Sequence, residues 1–365
     1  MARVVTIRTV AERAGCSIAT VSRVINGSAR TSPEVEARVR AAVQELGFRP
    51  SEIGRSLKTL RTRTLGVVIP SLTNPVFALS VSGMEDGARQ RRHTLLLTTT
   101  DYDPTREPEM VETLVAQNVA GLVLTVTNAD SNPSLDLLEA EGIPYVLVYN
   151  EPTRPDRAAV CVDNAGATRA LTEAMIADGH RRIVYLGGRF ASSDRSRRRY
   201  LGYVTAMEGA GLPPEPAVEL DYLGDAEGHA RALAALFRDR HHPTAALCSN
   251  DLLAISVAGA LRKLGLEVPG DVSVAGFDGI SLGSLITPAL ATIATPNRRM
   301  GERAVEKLFE MIEQGEPPSI EHLDYTIRPG GTLASAPGGT AEAREQHPPC
   351  AAYQTVPPSS SPTSD

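Results

Sequence analysis

The sequence predicts a small all-α head followed by an α/β body made of two doubly wound parallel-sheet lobes. Three observations predict it. The first fifty residues read as three short amphipathic helices, short apolar runs alternate with helical stretches from Thr64 onward, and that alternation passes along the chain twice. At 365 residues and 42% hydrophobic composition, the chain exceeds one ordinary domain and can bury a substantial core.

The head opens with TIRTVAERAGCSIATVSRVING at residues 6–27. A first helix is expected from about Thr9 to Ala14, with Thr9 as N-cap and Glu12 as its capping-box partner. Gly15 tolerates positive φ, so it ends that helix and turns the chain into Ser17, which caps the second. Val10 and Ala14 then face Val21, Val24 and Ile25 across a tight helix-turn-helix. That packing leaves Ile18, Ala19, Thr20, Ser22 and Arg23 on an outward, hydrogen-bonding face. Ser32-Pro33-Glu34 reads as an N-cap with Pro at the first helical position. The third helix runs to about Leu46, with Val35, Val39, Ala42, Val43 and Leu46 on one face, and Gly47 ends it. RPSEIGRSLKTLRTRT follows, basic and hinged by Pro50. Ser51 is placed to cap a short helix carrying Ile53, Gly54 and Leu57, a stripe too thin for a core; a free linker fits the same description.

In the body, LGVVIP (65–70), TLLLTTT (94–100), GLVLTV (121–126), PYVLVYN (144–150), VCVD (160–163), RIVYLGG (182–188), TAALCSND (244–251) and VSVAGFD (272–278) are the expected strands. Helices are expected over Ala78–Arg92, Pro108–Gln117, Arg197–Ala210 and from Asp251 to Leu264. Continuous apolar strands alternating with helices indicate parallel sheets covered on both faces. Such sheets bind ligands beyond the carboxyl ends of their strands, and two facing lobes make a cleft. The polar positions there are Ser71, Asn74, Thr125, Tyr149, Asn150, Arg199, Asn250, Asp251 and Asp278. The glycine pair in GGRF (187–190) reads as a turn. Residues 335–365, rich in Pro, Ser, Ala and Gly, read as a disordered tail.

Charge separates the two parts. Residues 1–63 carry 12 Lys+Arg against 5 Asp+Glu, a net +7, whereas the remainder carries 25 against 38, a net −13. A basic head on an acidic body points to a polyanion, nucleic acid above all, as the partner of the head. Cys16, Cys161, Cys248 and Cys350 are far apart and show no metal-ligand spacing, so they read as reduced thiols, and neither a metal nor a cofactor is expected. The N-terminus shows no signal peptide and no apolar run approaches a bilayer span, so a cytoplasmic protein without membrane contact is expected. Ser249-Asn250-Asp251 lacks the surroundings of a nucleophile elbow, so the chain does not read as an enzyme. A transport binding protein would need an export signal and would lack the basic head.

Five stretches, in order, carry a resemblance: TIRTVAERAGCSIATVSRVING; ELGFRPSEIGRSLKTLRTRTLGVVIPSLTNPVF; VDNAGATRALTEAMIADGHRRIVYLGG; SNDLLAISVAGALRKLGLEVPGDVSVAGFDG; and LATIATPNRRMGERAVEKLFEMI. They resemble the lactose-repressor (LacI/GalR) family of bacterial transcription regulators, colinearly from about Thr6 to Ala334. The resemblance implies a helix-turn-helix DNA-binding domain over 1–50 and a hinge helix and linker over 51–63. A two-lobed, periplasmic-binding-protein-like effector and dimerisation domain would follow over 64–334. Its first lobe would take about 64–159 and a return segment of about 291–320; its second lobe would take about 160–290. The implied function is a ligand-responsive repressor of sugar or related catabolic genes, with an activator or an effector-independent regulator of the same architecture as the alternative. The implied partners are a pseudo-palindromic operator, a small-molecule effector, typically a sugar, and a second copy of the chain.

Carried over by position, the second helix becomes the recognition helix. Ile18 and Ala19 fall where the family varies with operator sequence, and Arg23 falls where a base edge is read; an Arg fork suits guanine O6 and N7. Thr6, Ser17, Thr20, Ser22 and Asn26 would hold phosphates. Leu57 would be a minor-groove wedge accompanied by Lys58. Gly54, where the family usually has Ala, would weaken the hinge helix by about 1 kcal/mol. In the effector site, Arg199 and Asp278 would grip polar groups of the ligand with Asn250 beside them, and Phe77, Thr125, Tyr149 and Thr295 would line the first-lobe and crossover side. This sequence has Gly279 where a second aspartate is common, and Tyr149 where a carboxylate or amide is common.

Overall fold

The computed structural model describes residues 5–26, 31–48, 62–222, 224–238 and 241–337. The chain divides into two compact units, Met1–Arg63 and Thr64–Asp365.

In the first unit, α1 (Ile7–Ala14), α2 (Ile18–Asn26) and α3 (Pro33–Leu46) pack around Val10, Ala11, Ala14, Val21, Val24, Val39 and Ala42. The helix starts one turn earlier than expected. Thr6, in extended conformation, is the N-cap, and Thr9 is the N3 residue that answers it, each side chain bonding the other's backbone N–H. Two threonines three apart are equally able to cap, and Ile7 settles the choice by packing against the core. Gly15 ends α1 at φ 63° and Gly47 ends α3 at φ 62°, the left-handed stops their positions predict. Ser17 Oγ accepts the Thr20 N–H at 3.1 Å and Ser32 Oγ accepts that of Val35, so both predicted caps form. The hinge residues Gly54, Leu57 and Lys58 lie outside the described residues, as does the side chain of Asn26.

The second unit holds two six-stranded sheets of the same winding. In the first, β1 (Thr64–Ile69), β2 (Thr94–Thr99), β3 (Leu122–Leu124), β4 (Tyr145–Val148), β5 (Ala159–Cys161) and β11 (Ile320–His322) are ordered β11-β5-β4-β3-β1-β2, all parallel. In the second, β6 (Ile183–Gly188), β7 (Val218–Leu220), β8 (Ala245–Cys248), β9 (Ser273–Asp278), β10 (Ala291–Ala294) and β12 (Thr326–Arg328) are ordered β12-β10-β9-β8-β6-β7, with only β12 antiparallel. Strand order reverses between β1 and β3 and again between β6 and β8, and these reversals open crevices at the strand ends. Helices α4 (Pro75–Gln90), α5 (Glu107–Ala116), α6 (Pro133–Ala140) and α12 (Asn297–Phe309) belong with the first sheet. Helices α7 (Asn164–Ala177), α8 (Asp194–Gly209), α9 (Ala226–Leu233), α10 (Asp251–Lys263) and the short α11 (Leu282–Leu285) belong with the second.

Several expectations are corrected. The segment at 291–294 pairs with β9 in the second sheet, so the return to the first lobe begins with α12, which packs on α4; β5 reaches Cys161 in the first sheet, past the expected boundary. The apolar face of α12 (Met300, Ala304, Val305, Leu308) matches the first lobe, while the short ATIA run simply extends a ladder. Helix α8 starts at Asp194 rather than Arg197, because Ser193 Oγ accepts the Ser196 N–H and capping outweighs the weak apolar periodicity of that Arg-rich stretch. Gly187 and Gly188 are the last residues of β6, not a turn. Of the tail segment, Ala336 is tied to the body, its N–H donating to Asp178 O at 2.9 Å, just after Ala334 O meets His180 Nε2 at 2.9 Å. Residues 338–365 lie outside the described residues.

Candidate functional site

On the head, the core takes Val21 and Val24, and the opposite face of α2 goes to solvent. Ile18 is 43% exposed, Ser17, Ala19 and Arg23 are exposed, and Thr20 and Ser22 are half-buried. Thr6 is exposed too, its hydroxyl 3.0 Å from that of Thr9, while the Ser17 and Thr20 hydroxyls stand 2.9 Å apart. These hydroxyls and one guanidinium on a rigid two-helix corner are hydrogen-bonding groups that a nucleic acid can meet.

In the body, a cavity of about 30 Å³ lies where the carboxyl ends of the two sheets face one another. The first lobe contributes Asn74, Val76 and Phe77 from the start of α4, Tyr102 after β2 and Tyr149 after β4; the second contributes Ser193, Arg195 and Arg199 around α8, Tyr222, Asn250 and Asp278. Apart from Asp278, the last residue of β9, each lies on a segment that follows a strand end. Three of these residues, Tyr102 (φ 59°), Tyr149 (φ 71°) and Asp278 (φ 109°), hold backbone conformations that side chains disfavour, a strain tolerated where a side chain must be aimed.

Arg199 is fixed on all sides. Its Nε donates to Asn164 Oδ1 at 2.8 Å, its Nη1 donates to Ser249 O and stands 3.6 Å from Asp278 Oδ1, and its guanidinium lies 3.5 Å over the Phe277 ring. Burial pushes the Asp278 carboxyl up to about 6, against the pull of Arg199 and Arg195. Behind it, Asp251 accepts the Thr292 hydroxyl at 2.5 Å and the Ile280 N–H at 2.8 Å; burial, reinforced by Asp278, raises it to about 8. The Asp278 carbonyl accepts from Asn297 Nδ2 at 2.9 Å and from Thr295 Oγ1 at 3.2 Å, both on the crossover between the lobes. The aromatic wall is closed by Phe77 edge-on to Tyr149 and by Tyr102 against Tyr222, ring centroids 4.9 Å apart across the cleft. Burial raises the Tyr102 and Tyr149 phenols far above their usual range. Tyr149 OH donates to Val76 O.

Residues 6–51 match the lacI family of bacterial regulatory proteins, and residues 172–333 match the periplasmic binding protein-like domain. The HTH-type transcriptional regulator GntR of Escherichia coli (strain K12) is 33% identical over 328 residues, covering 90% of this chain and 98% of that protein. The chain belongs to the LacI family. The ribose operon repressor of the same strain is 34% identical over 325 residues, 89% of this chain and 97% of the repressor. A lac repressor dimer bound to operator and an anti-inducer superposes with a TM-score of 0.81 at 26% identity, covering 91% of this chain and all of that one. As a LacI-family member the chain is a DNA-binding transcriptional regulator with a ligand-binding body. Among the described residues no helix is long and apolar enough to cross a membrane.

Set against the family's site, Phe77, Tyr149, Arg199, Asn250 and Asp278 line the cavity together. Thr125 and Thr295 do not. Thr125 is buried and donates to Val148 O at 3.1 Å, and Thr295 is spent on Asp278 O and Asn297 Oδ1, so each stitches backbone beside the site. Asn250 also caps α10, its Oδ1 accepting the Leu253 N–H. Asp278 caps no helix. Residues missed by sequence reasoning are Val76, Tyr102, Ser193, Arg195 and Tyr222; Asn74 was legible as a strand-end polar residue. Tyr222 follows a three-residue strand with no apolar run to announce it, and its ring lies where a Cβ on Gly188 would fall, 2.1 Å from the ring atoms. That clearance is the use of the second glycine in GGRF.

Proposed function

We propose that this protein is an effector-controlled repressor that binds a near-palindromic operator as a homodimer in the cytoplasm and releases or grips it according to a small molecule held between the lobes of the body. Ile18, Ala19 and Arg23 read bases in the major groove, and Thr6, Ser17, Thr20, Ser22 and Asn26 set the register on phosphates. Leu57 enters the minor groove, with Gly54 and Lys58 beside it on the segment that links head to body. The effector is polyhydroxylated, as the name of the ribose operon repressor implies for that relative, and it sits against Arg199, Asp278, Asn250, Phe77 and Tyr149.

The observation that carries the reading is the Arg199–Asp278 pair, buried between α8 and the end of β9 and facing the first lobe's aromatic wall across the cavity. A charged hydrogen-bonding pair and aromatic faces on opposite walls match the two kinds of surface a sugar presents, hydroxyls and C–H faces. Operator binding is tested by selecting duplexes from a random pool and sedimenting the complex. Two chains on a near-palindrome is the expected result, and a single chain bound tightly to a half-site contradicts it.

A further inference from the structure

Arg195 is a second buried guanidinium of the cleft, one turn before Arg199 on α8 and only 5% exposed. The start of α8 is docked on the first lobe. Arg195 Nη1 donates to Val126 O at 2.8 Å, and Asp194 accepts from the Ala129 N–H and from Asn150 Nδ2, each at 2.9 Å. Arg195 differs from Arg199 in what remains free. Arg199 spends Nε and Nη1 on protein acceptors, whereas Arg195 uses Nη1 alone; among the described residues its Nε and Nη2 make no hydrogen bond, and neither is among the sealed polar atoms that lack a partner.

Those two nitrogens form one edge of the guanidinium plane, with parallel N–H groups spaced to meet two oxygens of one oxyanion. The charges around the cavity agree. Its lining holds two guanidiniums and one carboxylate, Asp278, which is paired with Arg199; the aromatic and amide remainder is neutral. Asp194, the acid nearest Arg195 at 3.3 Å, does not line the cavity and has its oxygens committed to Asn150 and Ala129. A neutral sugar can offer hydroxyl oxygens to that edge, but an oxyanion meets both N–H groups at once and adds charge to each bond, which roughly doubles their strength.

We propose that the effector is a small polyhydroxylated anion whose oxyanion is held by the Nε–Nη2 edge of Arg195, its hydroxyls going to Arg199, Asp278 and Asn250. This rests on the reading that the effector binds between the lobes. The oxyanion is a carboxylate, as in a sugar acid, or a phosphate, as in a sugar phosphate, and matched pairs separate the two.

The test is calorimetry on the full chain with D-gluconate against D-glucitol, D-galacturonate against D-galactose, and D-glucose 6-phosphate against D-glucose. At least one anion should bind about tenfold or more tighter than its neutral counterpart, the scale of a charge-assisted hydrogen-bond pair. Arg195→Met should bring that anion down to the neutral counterpart's affinity, and Arg195→Lys, which keeps charge without the fork, should fall between. If Arg195→Met does not fold, the wild-type preference and the Lys variant still decide. A panel in which no anion outbinds its partner, including one in which nothing binds at millimolar concentration, overturns the proposal, as does an unchanged preference in Arg195→Met. Neutral binding that is lost in Arg199→Ala overturns the anion while leaving the cleft reading intact. Binding that survives in both Arg195→Met and Arg199→Ala places the ligand elsewhere and overturns both.

Discussion

Arg199 and Asp278 stand 3.6 Å apart, nitrogen to oxygen, with both residues less than a tenth exposed, and the guanidinium is also anchored on Asn164 and Ser249. Removing one member of such a pair strands the other as an uncompensated buried charge. Arg199→Ala should therefore lower the unfolding free energy of the body by about 3 kcal/mol. Adding Asp278→Asn to the same chain should recover much of that loss. Urea denaturation at neutral pH checks both; a double variant as unstable as the sum of the singles would show that the two side chains act independently.

The two stacked carboxylates set a pH dependence whose sign follows from their raised values. Asp278 near 6 and Asp251 near 8 in the folded chain hold protons that an unfolded chain releases near 4, so the stability they confer is complete in acid and is lost as pH rises through those values. Melting temperatures of wild type and Asp251→Asn at pH 5 and pH 8 check this. The variant should lose less stability over that interval than wild type does.

Much of this architecture is legible in the sequence because it rests on local chemistry. Gly15, Ser17, Ser32 and Gly47 mark helix ends by rules that need no tertiary partner, and runs such as LGVVIP and VSVAGFD have a single way to be buried. The pocket is legible only where a strand end is announced by an apolar run, as at Tyr149, Asn250 and Asp278. Tyr102 and Tyr222 come together from turns 120 residues apart in a 365-residue chain, and nothing local couples them. Thr125 and Thr295 show the converse: polar residues at strand ends whose hydroxyls are spent on backbone oxygens, a fate that depends on the neighbouring strand and the crossover.

The crossing of α4 and α12 depends on two glycines. A Cβ on Gly83 would fall 2.1 Å from Arg298 O and one on Gly301 would fall 1.9 Å from Ser80 O, so the backbones touch where the return segment rejoins the first lobe. Gly301→Ala should force the helices apart and cost about 2 kcal/mol despite Ala's better helix propensity. Gly209→Ala, where no atom lies within 4 Å of the added Cβ, should be neutral or slightly stabilising. Thermal denaturation of the two variants distinguishes steric contact from propensity.

On the head, Ser17→Ala removes the cap of α2 and should destabilise that unit by about 1 kcal/mol. Arg23→Ala leaves the fold intact and should instead relax base preference at one position of each half-site, whereas Ser22→Ala should weaken all duplexes alike. Binding-site selection with each variant checks the pair; an Arg23→Ala protein that keeps the wild-type preference would remove Arg23 from base reading.

A ligand in the cleft controls the operator only if the two sites are coupled, and coupling is reciprocal. The most direct measurement is calorimetric titration of the tightest-binding sugar or sugar acid into the full chain, with and without saturating operator duplex, in wild type and in Arg199→Ala with Asp278→Ala. Operator should shift the ligand's affinity by about 5- to 150-fold, ligand should shift operator affinity by the same factor, and the double variant should lose ligand binding. Equal ligand affinity with and without DNA would contradict the switch, and undiminished binding by the double variant would contradict the site.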